Sequence, residues 1–129
     1  MVVITFLLRR RPELTADAFH RYWREQHGPL VASHAEALGI RRYIQLHTTD
    51  SALGTAIAHS RDCEPTDYDG IAILWFDTED AIIAAASTPG GVSGSAALLD
   101  DERTFLDLPR CQLWISEDHT VIGLSLRHI

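Results

Sequence analysis

Phe19, Trp23 and His27 recur every four residues, a spacing that on a helix lays an imidazole on the same face as two large rings. The chemistry this suggests is proton transfer, because histidine is the side chain whose ordinary pKa lies nearest neutrality and general acid-base catalysis rewards that match. Gly28 and Pro29 follow directly. Glycine accepts the left-handed conformation beyond a helix end and proline cannot donate the next helical hydrogen bond, so the spacing predicts a helix that stops at His27. Two roles stay open for the ring: a general acid or base in a cleft, or a cap on the last carbonyls of the helix. The C-terminus of the preceding helix would favour its cation, and the N-terminus of a following one would oppose it.

Other residues offer chemistry around it. Asp69, ahead of Gly70 at a strand start, either satisfies exposed amides or orients His27 and accepts a substrate proton. Tyr43 and Tyr22 each carry a hydroxyl that could donate to a developing oxyanion. Asp100, Asp101 and Glu102 suggest paired carboxylates, but consecutive helix residues point in different directions, so one of them is expected to face inward with Leu98 and Phe105. The expected catalytic set is His27, Asp69 and Tyr43. The expected substrate-binding set is Trp23, Phe19, Tyr22, Trp75 and Asp101. His20, His27 and His34 are spaced by seven, but the predicted break at Gly28 and Pro29 argues against a shared metal. No metal and no cofactor are expected.

Composition removes several classes. All 11 basic residues are arginine, so a lysine Schiff base, a lysine-bound pyridoxal phosphate and a P-loop are absent. A formal charge of −7 disfavours nucleic acid, since phosphate binding needs a basic face. Cys63 and Cys111 have no metal-like spacing and read as free thiols. The apolar-then-basic N-terminus inverts the charge order of a secretory signal, and no apolar run approaches the ~20 residues of a membrane span. A cytoplasmic protein with no membrane partner is expected.

The elements that must position these residues follow from periodicity. A strand is predicted at residues 2–8, apolar on both faces, then a helix capped by Thr15 and a short helix over 29–38 ended by Gly39. Residues 41–48 alternate as a strand with one more polar face, Tyr43, Gln45 and His47. Residues 49–67 read as an irregular loop with a helical turn near 52–59. A central strand is predicted at 68–76, a helix from Asp77 or Thr78 to Ala86, a flexible glycine-rich connector at 90–94, a helix over 95–108 and a last strand over 110–117. Residues 119–129 are expected to add an extension. The order gives one α+β domain over residues 1–129, a ferredoxin-like β-α-β-β-α-β antiparallel sheet with helices on one face. Strands apolar on both faces predict a homodimer that stacks sheet on sheet.

Three stretches resemble the EthD-like proteins of the dimeric α/β-barrel superfamily. They are Phe19-x-x-Tyr22-Trp23-x-x-x-His27-Gly28-Pro29-Leu30, Tyr68-Asp69-Gly70-Ile71-Ala72-x-Leu74-Trp75-Phe76, and Asp100-Asp101-Glu102 with Phe105. The resemblance implies a pocket between sheet and helices in each subunit, suited to a small, mostly apolar and often aromatic molecule. Muconolactone isomerases, polyketide cyclases, haem-degrading monooxygenases and fungal dehydratases share the superfold, so it names no reaction. The leading expectation is a cofactor-independent dehydratase, cyclase or isomerase of a small aromatic or polyketide-like molecule. The alternative is a ligand-binding or accessory protein without turnover, and haem chemistry ranks third.

Overall fold

A computed structural model of the chain describes residues 1–123. Four strands, β1 (Val2–Leu8), β2 (Arg42–His47), β3 (Gly70–Phe76) and β4 (Gln112–Glu117), form one antiparallel sheet in the order β2-β3-β1-β4. With the helices between them this is the ferredoxin-like α+β arrangement the periodicity predicts. Val2 pairs with Phe76 and Glu117, and Tyr43 pairs with Leu74, so Tyr43, Leu74, Ile4 and Ile115 share one row and Gln45, Ala72, Phe6 and Leu113 the next. This face, including the more polar side of β2, turns toward the helices.

The first helical segment departs from expectation. Helix α1 (Ala16–Tyr22) does not stop at His27 but runs through a wide π turn, Trp23–His27, directly into α2 (Gly28–Leu38). The Gly28 N–H reaches back five residues to the Trp23 carbonyl, and Gly28 itself is right-handed helical, φ −55° and ψ −53°. A residue before proline is disfavoured in that region because the proline Cδ crowds its N–H and its Cβ; glycine lacks the Cβ, which lowers the cost, and the chain passes through Pro29 without breaking. Thr15 caps the start as expected and Gly39, at φ 74°, ends the helix. The buried line along it is Phe19, Trp23, His27 and Val31, a strict spacing of four.

The other correction concerns residues 90–94. They are no connector but the first turns of α5 (Pro89–Phe105), capped by Thr88, which follows α4 (Glu79–Ala86). The glycines there serve contact: a Cβ at position 91 would strike the Ala85 carbonyl and one at 94 would crowd the His34 ring. Within residues 49–67 a full helix forms, α3 (Ala52–Ser60), capped by Ser51. The polypeptide after β4 has no regular element through Gly123, and the rest of the expected extension lies outside the described residues. Among the described residues, no single helix is long and apolar enough to cross a membrane.

The core sits between α1, the π turn, α5 and the inner sheet face, with Leu8, Phe19, Trp23, Ala72, Phe105 and Leu106 packed together. Trp23 packs its ring against the start of β3 at Gly70. A Cβ at Gly70 would fall 2.5 Å from its ring and 2.8 Å from the Leu46 carbonyl. Gly70→Ala is therefore expected to destabilise the fold by about 1–3 kcal/mol, as overpacked cores do. Gly54→Ala, whose added methyl meets only ordinary contacts in α3, should be neutral or slightly stabilising. Urea unfolding of the two variants checks the contrast.

Candidate active site

His27 is 5% exposed and sits at the end of the π turn, facing α5. Its Nδ1 lies 2.7 Å from Asp101 Oδ2, while its Nε2 lies 3.9 Å from Glu102 Oε2. Adjacent side chains of one helix thus straddle a single ring. The expectation that one carboxylate alone faces inward is corrected here: residues 101 and 102 point about 100° apart, and an imidazole presents its two nitrogens on different sides. Asp100 does point outward, toward Arg103.

The Asp101 carboxylate is held from a second side by the Tyr22 hydroxyl, which donates to Oδ1. A carboxylate at Nδ1 can only accept, so the neutral ring carries its proton on Nδ1 and leaves Nε2 bare. Burial holds the His27 pKa below the usual range, with Asp101 opposing that shift. Glu102 has no compensating partner in hydrogen-bond reach. Burial, with the nearby Asp101 charge, pushes its pKa up to about 7. A neutral base and a carboxyl that is partly protonated at neutral pH therefore stand side by side, 3.9 Å apart.

Both open onto a cavity of about 170 Å³ under the helices. Its walls are Ile4, Phe6, Leu8, Ala72, Leu74 and Leu113 from the sheet and Trp23, Val31, Leu98, Phe105 and Leu106 from the helices and the residue after α5, with Tyr43 supplying a hydroxyl. Cavities of about 150 Å³ accept a benzene-sized molecule when dry and apolar. Leu113 is more than half exposed, so the β4 side is where the cavity meets solvent.

The expected residues divide. His27, Tyr43 and Trp23 line the cavity together. Tyr22 and Asp101 stand behind His27, bonded to it or to each other, and position the ring rather than the ligand. Phe19 is fully buried against Trp23 and Phe105 and forms core. Asp69 is elsewhere: its carboxylate accepts from the Arg10 amide at 2.8 Å and pairs with the Arg10 guanidinium, tying down the segment after β1, so Asp101 holds the orienting role considered for it. Trp75 faces the opposite side of the sheet, where its indole donates to Asp118 at 3.0 Å beneath the Arg42 guanidinium.

Glu102 lines the cavity beside His27 and stands outside the expected set. Its signal is the spacing Leu98, Glu102, Phe105 on one helical face, which the run of three acidic residues masks, since such runs are usually solvated. His20, His27 and His34 diverge, toward His47, Asp101 and Gly94 respectively. Among the described residues, no three His, Cys, Asp or Glu side chains converge on a point that could hold a metal ion. Cys63 and Cys111 are free thiols.

Known proteins match this architecture. The EthD domain profile matches residues 11–109. Among solved structures, an ethyl tert-butyl ether d (EthD) family protein from Bacillus halodurans superposes with a TM-score of 0.60 at 18% identity, covering 92% of this chain and 100% of the other. A dimeric ferredoxin-like protein of unknown function from Thermobifida fusca gives 0.55 at 17%, covering 89% and 88%. SnoaB, a cofactor-independent oxygenase from Streptomyces nogalater, gives 0.50 at 16%, covering 95% of each chain. No curated protein sequence matches the chain. The matched profile spans all three stretches on which the resemblance rests and most of the 129 residues, and the chain belongs to the EthD family.

Proposed function

We propose that this protein is a cofactor-independent acid-base catalyst that takes a small, mostly apolar or aromatic molecule into the His27 cavity and carries out a dehydration, cyclisation or isomerisation. One observation carries the reading: a buried imidazole clamped at Nδ1 by a carboxylate, its free Nε2 beside a second carboxyl on the wall of an apolar cavity. Nε2 removes a proton from a carbon acid or hydroxyl of the bound molecule. Asp101 stabilises the imidazolium that results, and Tyr22 keeps Asp101 in place. Glu102 in its protonated form returns a proton to another atom of the same molecule, and roles reverse in the opposite direction. SnoaB, which shares the fold, is described as a cofactor-independent oxygenase.

Replacing the base should abolish this chemistry while sparing the pocket. With a substrate found by screening aromatic ketones and polyketide-like compounds, His27→Ala is expected to lose about 10²–10⁴ in kcat. Asp101→Asn, which no longer stabilises the imidazolium, should lose about 10² or more. Ligand affinity should change little in either. Full turnover by His27→Ala would overturn the assignment, and unchanged binding without product from the parent protein would mark it as a ligand-binding member instead.

The ionisations give an independent check on stability. Glu102 has a folded pKa above its unfolded value, so the stabilisation it gives is complete below pH ~4.5 and is lost as pH rises to about 7. His27 runs the other way: its depressed folded pKa means stability falls as pH drops below ~6.5. Glu102→Gln removes the first effect alone. Relative to the parent, the variant should gain up to about 3 kcal/mol between pH 4.5 and pH 8, from ~1.4 kcal/mol per pKa unit. Urea unfolding at the two pH values measures it.

The outer sheet face supports a homodimer. Ile44, Leu46, Ile71, Ile73, Trp75, Leu7 and Trp114 lie on it together, with Leu46 and Trp114 each 46% exposed. The Thermobifida fusca relative is described as dimeric. Sedimentation at micromolar concentration should show two chains, and Trp114→Glu should give one chain with unchanged helical content.

A further inference from the structure

The inner row of β2 carries polar side chains that the proton-transfer scheme does not use. Gln45 Nε2 lies 2.9 Å from the Trp23 carbonyl and 2.9 Å from the Tyr43 hydroxyl. The Trp23 carbonyl can only accept, which fixes the nitrogen end of the amide on that side. Both amide hydrogens are then spent, one on Trp23 and one on Tyr43. The carbonyl end, Oε1, faces His47 Nε2 at 2.8 Å and can only accept, so His47 carries its proton on Nε2. His47 Nδ1 is then bare and receives the Nδ1–H of His20 at 2.7 Å. Every donor in the row points the same way, from His20 through His47 and Gln45 to the oxygen of Tyr43.

Several features hold this row in register. Gly28 leaves room for the amide: a Cβ there would stand 3.2 Å from Gln45 Nε2. The Trp23 ring packs against His47 with centroids 4.3 Å apart. Burial, with the charges of His20 and Arg24, keeps His47 below the usual histidine range, consistent with its single-proton form. The Tyr43 oxygen already accepts from Gln45 and its hydroxyl donates to no other group among the described residues, so its own hydrogen is left to point into the cavity that Tyr43 lines.

We propose that Gln45, His47 and His20 are positioning residues that lock Tyr43 as a hydrogen-bond donor into the His27 cavity, so that the site selects a molecule presenting an oxygen acceptor, a carbonyl or an enolate-type oxygen, at Tyr43. The inference rests on the cavity being the ligand site and adds the polarity of what it takes. Deprotonation by His27 next to a carbonyl held by Tyr43 leaves the negative charge on that oxygen and the proton on Nε2. Tyr43 then meets the charge where it develops.

Two measurements test this. In the ligand-free protein, nitrogen-15 NMR of the imidazoles should show His47 protonated at Nε2 and His20 at Nδ1; the reverse tautomer at His47 overturns the proposal. The second uses acetophenone, which carries a carbonyl, and ethylbenzene, which matches its shape without one. Tyr43→Phe and Gln45→Glu should each weaken acetophenone by about tenfold, the worth of one lost hydrogen bond, and leave ethylbenzene unchanged. Glutamate at 45 offers Tyr43 an acceptor in place of a donor and turns its hydrogen away, so its effect separates orientation from mere presence of the hydroxyl. Equal binding of both probes by the parent, with His27 variants still inactive, overturns the donor role and leaves the proton-transfer reading standing. If neither probe binds, both fall.

Discussion

The wide turn from Trp23 to His27 is the constraint on which the rest of this molecule depends. An α-helix advances about 100° per residue, so positions four apart drift by about 40° per step. A line at 19, 23, 27 and 31 would wind away from the sheet within three steps. Yet all four are buried. One bond reaching back five residues, from Gly28 to Trp23, supplies the extra residue that keeps the line facing inward. Single π turns within α-helices recur at functional sites, and the reason is visible in this one: the same turn that carries His27 back onto the core also opens the Trp23 carbonyl to Gln45.

Around that turn the protein sets one buried and two half-buried ionisable groups, His27, Asp101 and Glu102, in one wall, which is costly unless the charges are matched. His27 and Asp101 answer this by a direct bond, backed by Tyr22. Glu102 does not, and its burial shows as a carboxyl that holds its proton to neutral pH. Such unmatched groups are where fold stability is given up for chemistry. The apolar walls act on both sides of this balance, since the dry surroundings that raise Glu102 also strengthen every hydrogen bond aimed at a bound molecule.

Much of this was legible in the residues and some of it was not. The strands, their order and the caps at Thr15, Thr78 and Gly39 follow from local patterns that tertiary packing did not override. The spacing of His27 and Trp23 on one helical face was legible, whereas Tyr43 lies on the more polar side of its strand, which periodicity alone does not turn inward. The expected helix stop at Gly28 does not form, although Gly-Pro is a strong local break signal; the absent Cβ that makes glycine a good terminator also eases the passage of a helix through Pro29. Gly90 to Gly94 failed for a related reason, since glycines selected for close helix contact look like glycines selected for freedom. Asp69 and Trp75 show the remaining limit. Their types suit a site, but partners distant in sequence, Arg10 and Asp118, decide what they touch.

Strand β2 reverses the usual rule for a sheet with helices on one side. Its polar residues, Tyr43, Gln45 and His47, face the helices, while Ile44 and Leu46 face away. A strand whose inner face met only core would place apolar residues there and polar ones outside. The reversal needs two explanations at once: a set of partners that satisfies the inner polar groups, and something apolar against the outer ones. The first is met by the bonds that run from the Trp23 carbonyl and the Tyr43 hydroxyl through Gln45 to His47 and His20. That completeness is costly to assemble, because each amide and imidazole must take one orientation for the next to be satisfied. A row that needed only to be buried could have been leucine and valine at lower cost. Its polarity is therefore best read as serving the one group at its end that meets the cavity, the hydroxyl of Tyr43.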